Sequence, residues 1–413
     1  MAKTAALALL FAAIPASAMA QTHTSSVAMP EDGGDLPRAD MPMGSSGYDY
    51  GRRPDSPPGT PDEIKPALQP DTPAIGITAG KAVRLEWGGY IRFIGELVQN
   101  DALLAIGRND GFRIANARLG FKASWGDKLY GYLSLDAAVA QVSDADDANA
   151  ELAVGLRDAY LAYAFHPAAH LQVGRFKPPY DISELESTES REFIDEPIES
   201  RGVLRTQGNE AIGLHPGRQI GVMLHSPRAF DSKDGLDLGY ALAVTNGNTG
   251  DRVFNDNDHF AAFGRFSLLY SDVLVVSAAG FIDNRTRGTQ PDLFEDRIIG
   301  AEGSLVIAIS GLRVEGQFLL QHDEPVTAGT PDSLGFGFHA QWTYNWNGFE
   351  PGYRFAWFEP NTEVDGDGVN EHTISLSYFV DPYPIRLSLN GTFAFEEQER
   401  DNHRIALLVQ YTF

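Results

Sequence analysis

The chain has 413 residues and no cysteine, which excludes disulfides, thiolate metal sites and cysteine nucleophiles. Its formal net charge of −24 argues against a nucleic-acid partner, because nucleic-acid-binding proteins present basic surfaces to the phosphate backbone. Hydrophobic residues make up 43% of the chain and the mean hydropathy is −0.22, so a bundle of membrane-spanning helices is excluded. The length allows several soluble domains or one large barrel.

The amino terminus predicts a secretory signal peptide over residues 1–20, where Lys3 and an apolar stretch precede a small-x-small cleavage site. Residues 21–80 are rich in Pro, Gly, Ser and Asp and have almost no aliphatic pattern. Such a composition cannot bury enough apolar surface to fold, so we expect a Pro-rich, flexible periplasmic segment there. The folded domain is expected over residues 81–413.

From Arg84 onward, apolar and polar residues alternate with the period of two that is typical of β-strands. Sixteen candidate strands follow one another, over residues 84–99, 111–125, 128–142, 155–166, 168–176, 217–226, 236–246, 257–270, 272–284, 295–309, 311–323, 333–346, 348–360, 369–380, 383–396 and 402–413. At roughly 3.3 Å per residue, most of them are long enough to cross a hydrocarbon layer at a tilt.

Two features of these strands favour a membrane barrel over a soluble sheet. Short turns alternate with longer polar loops, and aromatic residues such as Phe338 and Trp342 share a face opposite polar residues such as Gln341. Sixteen strands enclose a lumen too wide for side chains to fill, so water is expected inside. The sequence therefore predicts an all-β fold, a 16-stranded antiparallel transmembrane β-barrel with long extracellular loops.

The connection over residues 177–216 is the third long loop and is far longer than usual. By analogy with porin architecture, we expect it to fold into the lumen and narrow the pore, where fixed charges act most strongly on a passing ion. The alternative is a solvated loop that faces outward. The charged residues predicted at this constriction are Asp181, Glu184, Glu186, Glu189, Arg191, Arg201 and Arg205.

Strand parity assigns a set of basic side chains to the water-filled side, because a charge that faces lipid at the midplane costs up to about 2–4 kcal/mol. These predicted pore-lining residues are Arg84, Arg92, Arg118, Lys122, Arg265, Arg313, Arg354, Arg386 and Arg404. Acidic wall residues fall on the same side, so each base is also a candidate for a wall salt bridge. Parity leaves the positions of Arg175 and Arg218 open.

No segment matches the sequence patterns of a serine nucleophile, a zinc protease, a phosphate-binding loop or a dinucleotide site. The ten histidines are dispersed, and the acidic stretch 365–371 lacks the spacing of a calcium loop. We therefore predict no catalytic residue, no metal site, no cofactor and no enzymatic activity. A barrel-anchored outer-membrane enzyme or adhesin remains an alternative.

Three stretches resemble the phosphate-selective porin O and P family: 116–121 (NARLGF), 173–180 (VGRFKPPY) and 217–222 (GRQIGV). With the strand pattern, the resemblance extends from about residue 80 to Phe413. It implies an outer-membrane porin, usually trimeric, whose third loop constricts the pore and whose lumenal arginines and lysines attract anions. The chain departs from the family in its strongly acidic third loop and its Pro-rich amino terminus.

These observations predict a diffusion channel in the bacterial outer membrane for small anions, phosphate or polyphosphate among them. Its expected partners are outer-membrane lipid, small anionic solutes and two further copies of the chain in a homotrimer. Arg92, Arg118 and Lys122 on neighbouring early strands favour anions. The net charge and the acidic third loop favour a general or cation-preferring porin instead, and this alternative stays open.

Overall fold

Sixteen antiparallel strands form a closed barrel in the computed structural model of the protein. The structure describes residues 75–79, 83–99, 110–139, 152–203, 211–226, 228–229, 235–247, 254–255, 257–271, 273–289, 292–325, 332–396, 400 and 402–413. The predicted signal peptide and all but the end of the 21–80 segment lie outside these residues. So does Arg205, which was predicted at the constriction.

The strands lie close to where the alternation predicts them, and the predicted fold class is confirmed. The barrel strands are β2 (Val83–Val98), β3 (Gly111–Trp125), β4 (Leu129–Val139), β5 (Ala153–His166), β6 (Ala169–Phe176), β9 (Gln219–Ser226), β10 (Leu236–Thr245), β11 (Ala261–Tyr270), β12 (Leu274–Thr289), β13 (Asp292–Ile309), β14 (Leu312–Pro325), β15 (Ser333–Tyr344), β16 (Phe349–Glu359), β17 (Val369–Val380), β18 (Ile385–Glu396) and β19 (Arg404–Thr412). Each pairs antiparallel with its neighbours, as in an up-and-down barrel.

The long connection between β6 and β9 contains the remaining elements. They are the helices α1 (Ile182–Leu185) and α2 (Ile198–Arg201) and a small separate sheet of β7 (Gly202–Val203) and β8 (Ala211–Ile212). Neither helix, nor any other in the described part of the chain, is long and apolar enough to cross a membrane.

The polar faces of the strands line the lumen and the apolar faces form the outer surface. In β18, Ser388 and Asn390 are buried inside, whereas Leu389 and Phe393 are exposed outside. This arrangement inverts that of a soluble barrel and is the one that a surrounding lipid phase stabilises.

Two of the tight hairpins depend on residues with positive φ. Ser310 and Gly311 have φ values of 48° and 83°, and Asn347 and Gly348 have values of 49° and 83°. Two successive residues with positive φ form a type I′ turn, whose twist matches that of the flanking strands. These turns fix the register of β13 with β14 and of β15 with β16.

The barrel closes where β19 pairs with β2, and the carboxyl-terminal residue completes the seam. The backbone N–H groups of Gly89 and Phe413 each donate to the other residue's carbonyl oxygen at 2.9 Å. Beyond this point the edge of β2 is covered by β1 (Ile75–Ala79), which pairs with residues 83–87. The strand β1 therefore lies within the segment predicted to be flexible, and it covers backbone groups that an open edge would expose.

Candidate functional site

The third long loop, residues 177–216 without 204–210, packs inside the barrel. Tyr180 is fully buried, and its hydroxyl donates towards the backbone carbonyl oxygens of Ala301 at 2.8 Å and Leu320 at 3.0 Å, on β13 and β14. Its ring also packs edge-on against Phe281 at 4.7 Å. Apolar burial and hydrogen bonds together hold this end of the loop on the wall.

Arginines of the wall donate to backbone carbonyl groups of this loop. Arg354 donates to the carbonyl oxygens of Asp195 at 2.9 Å and Glu196 at 3.3 Å. Arg386 donates in the same way to Arg191 and Glu192. A planar guanidinium presents two parallel N–H groups, so each of these side chains holds two successive peptide groups.

Two further wall arginines hold the loop at separate points. Arg92 on β2 donates to the carbonyl oxygen of Ile194 at 2.7 Å. Arg265 on β11 donates to that of Tyr180 at 2.6 Å and also pairs with Glu302 at 3.2 Å. The loop is therefore anchored on strands from β2 around to β18.

Acidic side chains of the loop meet bases of the wall. Arg313 on β14 lies 2.9 Å from Glu192 and 3.6 Å from Glu186, and Arg404 on β19 lies 3.6 Å from Asp195. The pairs of Glu192 and Asp195 place part of the negative charge of the loop in its interface with the wall.

A histidine strengthens the same interface. His339 on β15 is buried between two carboxylates, with its Nδ1 at 2.6 Å from Glu199 of the loop and its Nε2 at 3.3 Å from Glu315 of β14. In addition, Arg201 of the loop pairs with Glu371 of β17 at 2.6 Å.

Other predicted loop residues stabilise the loop itself. Asp181 caps α1 by accepting from the backbone N–H of Ser183 at 2.8 Å, and it also accepts from Gln317 at 2.9 Å and from the Ser200 hydroxyl. Glu189 takes part through its backbone carbonyl oxygen, which accepts from Gln410 at 3.0 Å.

Arg84 and Lys122 lie away from the loop, at the short-turn end of β2 and β3. Both pair with Glu86, at 2.7 Å and 3.8 Å respectively.

Between the loop and the wall formed by β2, β3 and β5 lies a cavity of about 330 Å³. Eight Arg and Lys side chains and three carboxylates line it, an excess of five positive charges. The basic residues are Arg92, Arg113, Arg118, Arg157, Lys177, Arg191, Arg201 and Arg218. The acidic residues are Glu184, Asp195 and Glu196, and His215 also lines the cavity.

Two of these bases, Arg113 and Arg157, reach the cavity because of β-bulges, and parity counting missed both. Between β2 and β3, Arg92 pairs with Asn116, but the next residue, Phe93, pairs with Ile114. Ala115 of β3 is therefore an extra residue, and Arg113 turns to the lumen. Between β4 and β5, Ser134 pairs with Asp158, and the next residue, Leu135, pairs with Leu156. Arg157 of β5 is therefore itself the extra residue. A bulge redirects side chains next to a site in this way.

Carboxylates behind the cavity orient two of the bases. Arg218 makes hydrogen bonds of 2.9 Å and 3.3 Å with Asp158, and Arg118 lies 3.8 Å from Asp136. Two more carboxylates lie behind the cavity, because Glu371 pairs with Arg201 at 2.6 Å and Glu96 lies 3.7 Å from Arg113. With all four of these carboxylates counted, the excess of positive charge at the cavity is one. Of the two arginines that parity left open, Arg218 therefore faces the lumen, whereas Arg175 donates to the carbonyl oxygen of Arg157 at 3.0 Å.

The protonation states of two loop side chains, His215 and Glu186, make the charge of the loop more positive at neutral pH. Burial opposes protonation of His215, but the nearby carboxylate of Glu184, at 3.6 Å, together with Glu196 and Asp181, raises the pKa of His215 to about 9. Burial and the neighbouring charge of Glu192 raise the pKa of Glu186 to about 8, against the effect of Arg313. At neutral pH, His215 is thus positive and Glu186 largely uncharged.

The predicted site residues therefore separate into groups. Arg92, Arg118, Glu184, Arg191 and Arg201 line the cavity. Arg265, Arg313, Arg354, Arg386 and Arg404 hold the loop on the wall. Among the basic and histidine side chains of the cavity, those that sequence reasoning did not assign are Arg113, Arg157, Lys177, His215 and Arg218.

Comparison with known proteins agrees with this architecture. The sequence model of the family described as phosphate-selective porin O and P matches residues 100–304. A comparison with curated proteins found no match.

Solved structures of outer-membrane proteins are similar along most of the chain. The outer membrane channel DcaP of Acinetobacter baumannii has a TM-score of 0.57 at 14% identity, with 82% of this chain and 99% of that chain covered. The anion-selective porin from Comamonas acidovorans has a TM-score of 0.54 at 12% identity, with 80% and 100% covered. The trimer form of OmpT from Vibrio cholerae has a TM-score of 0.54 at 11% identity, with 81% and 100% covered.

At such identities, the likeness to solved structures establishes the fold. The residues that the family model matches include all three stretches on which the predicted resemblance rested, 116–121, 173–180 and 217–222. The predicted resemblance and the predicted location are thereby confirmed. The chain is a porin of the bacterial outer membrane that matches the phosphate-selective porin O and P family over residues 100–304.

Proposed function

We propose that this porin is a passive diffusion channel that prefers small anions. The observation that supports the proposal is the cavity between the third loop and the wall, where basic side chains exceed carboxylates by five. Fixed charges at a constriction set the potential that an ion crosses, so this excess lowers the energy of an anion and raises that of a cation.

The acidic composition of the chain does not oppose this proposal. Charges on distant loops are screened within about 8–10 Å at ordinary salt. Within the third loop, Glu192 and Glu199 face Arg313 and His339 of the wall. Their charge is therefore compensated locally, whereas the cavity keeps its positive excess.

Phosphate and polyphosphate are the proposed substrates among small anions. Guanidinium groups bind phosphate oxygens in a bidentate manner, and seven of the eight basic cavity residues are arginines. The description of the matched family names phosphate, and one of the similar porins is described as anion-selective. We also propose a homotrimer embedded in outer-membrane lipid, in line with the trimer form of one similar structure.

Reversal potentials in a salt gradient across a planar bilayer test the preference. We expect the wild type to be anion-selective and an Arg113→Gln/Arg157→Gln double variant to move towards equal permeability. Arg84→Gln is the matched control, because Arg84 is a lumenal arginine that does not line the cavity.

A cation-selective wild type would refute the anion preference. Absence of stepwise conductance from pure, folded protein would instead favour the barrel-anchored enzyme or adhesin. Addition of inorganic phosphate to one chamber then tests the substrate, since a bound phosphate should reduce the chloride current of the wild type more than that of the double variant.

A further inference from the structure

Two histidines lie side by side on the lumenal face of neighbouring strands, remote from the constriction. His170 on β6 is the direct cross-strand partner of His225 on β9. Their ring centroids are 5.5 Å apart, and the ring planes are inclined by 64°. Both side chains face the lumen, because the adjacent residues of the alternation, such as Val173 and Leu224, are exposed on the outer surface.

The imidazole of His225 is buried, and the residue is 4% exposed. Neither its Nδ1 nor its Nε2 makes a hydrogen bond with a residue in the described part of the chain. Buried polar groups in native proteins are almost always bonded to protein, water or an ion, and an unsatisfied one costs about 1–3 kcal/mol. Both nitrogens of this ring are therefore open to a water molecule or to an ion.

The spacing of the two rings fits a shared metal ion. Imidazoles that bind one tetrahedral ion at about 2.0–2.1 Å have ring centroids roughly 5 Å apart. The observed centroid distance of 5.5 Å is close to this value. The flanking strands present small residues here, since His170 pairs on its other side with Ala164 and His225 with Ala241.

We propose that His170 and His225 bind a divalent transition-metal ion, with Cu²⁺ held most tightly. Imidazole suits copper, zinc and nickel, and Cu²⁺ stands at the top of the affinity order for such ligands. No three His, Cys, Asp or Glu side chains of the described residues form a metal site, so donors of another kind complete the coordination. The next lumenal pair, Gln172 and Met223, adds an amide oxygen and a thioether nearby.

The positive cavity does not prevent a cation from binding at this place. His225 lies seven residues beyond Arg218 along the chain, which corresponds to roughly 23 Å of extended strand. This exceeds the screening length of about 8 Å at physiological salt. The sequence prediction of no metal site rested on spacing, which could not reveal a pair formed by strand register.

The test titrates the full-length protein, folded in detergent, with CuCl₂ and records electron paramagnetic resonance spectra. We expect one Cu²⁺ with hyperfine coupling to two imidazole nitrogens in the wild type. His225→Gln and His170→Gln should each lose this species. His372→Gln is the matched control, since His372 lies on the outer face and contacts the Tyr353 hydroxyl at 2.7 Å, and it should keep the signal.

A second measurement uses ZnCl₂ and the unfolding temperature of the barrel. Zinc should raise this temperature for the wild type and for His372→Gln, and not for the two lumenal variants. If the wild type and His225→Gln bind the same number of Cu²⁺ ions with the same nitrogen coupling, the proposal is wrong. Heat-dependent electrophoretic mobility verifies that each variant is folded.

Discussion

Replacement of Arg386 by Met should release one segment of the third loop from the wall. The guanidinium of Arg386 is buried and donates to the carbonyl oxygens of Arg191 and Glu192. It also donates to the hydroxyls of Ser377 and Ser388 at 3.1 Å and 3.0 Å. Methionine keeps the apolar stem and removes every donor, so two loop carbonyl groups lose this partner.

The size of the effect follows from these two loop contacts. A hydrogen bond with a charged donor contributes about 1.5–3 kcal/mol, so the two together stabilise the docked segment by about 3–6 kcal/mol. A loss of about 3 kcal/mol raises the population of the undocked segment by more than about 100-fold. Arg92, Arg265 and Arg354 still hold the loop elsewhere, so we expect local opening and not expulsion of the loop.

Single-channel recording in planar bilayers measures this opening. Arg386→Met should show a larger mean conductance and more frequent transitions between levels than the wild type. Arg386→Lys keeps the charge, but its ammonium group cannot reproduce the fork to two successive carbonyl groups, so an intermediate result is expected. Arg84→Met removes the same charge away from the loop and is the control. If Arg386→Met and Arg84→Met have the same conductance and noise, the anchoring role is refuted.

Two further predictions concern the charge and the folding of the barrel. His215 has a pKa of about 9 and lines the cavity. It is positive below that pH and loses its charge above it, so the anion preference measured by reversal potential should fall between about pH 7 and pH 10, where Glu186, with a pKa of about 8, also becomes charged. His215→Gln should therefore reduce this fall. Gly174 has a φ of 138°, and a Cβ there would lie 2.2 Å from the carbonyl oxygen of Ala159, whereas a Cβ on Gly303 meets nothing within 4 Å. Gly174→Ala should therefore lower the yield of folded barrel, measured by electrophoretic mobility, and Gly303→Ala should fold like the wild type.

The strands could be predicted from the sequence because lipid and water impose opposite demands on the two faces. The predicted strand over 369–380 coincides with β17, and that over 236–246 differs from β10 by one residue. Inside these strands the alternation also assigned Arg386 and Arg354 to the lumen, where both are buried. A charge on the lipid side would cost about 2–4 kcal/mol, so this part of the pattern is strongly constrained.

The composition of the cavity could not be predicted in the same way. Parity counting assumes an unbroken strand, and the extra residue on β3 reverses the parity of Arg113. The extra residue on β5 is Arg157 itself. Likewise, His170 and His225 are far apart in the sequence and meet only through the register of β6 with β9. Bulges and register depend on which strands pair, and a single strand does not contain that information.

The same limit explains why the sign of the lumenal charge could not be read from composition. The arginines that parity placed inside are not equivalent, because Arg354 and Arg386 face backbone carbonyl groups of the loop while Arg92 and Arg118 line the cavity. Acids of the loop such as Glu192 are opposed by bases of the wall at contact distance, where attraction is strongest. An acidic loop inside a barrel whose wall is rich in arginine therefore neutralises itself on the side where it docks. The charge that a permeating ion meets is set by the side of the loop that faces the cavity. The net charge of −24 on the whole chain does not determine the sign of that local charge.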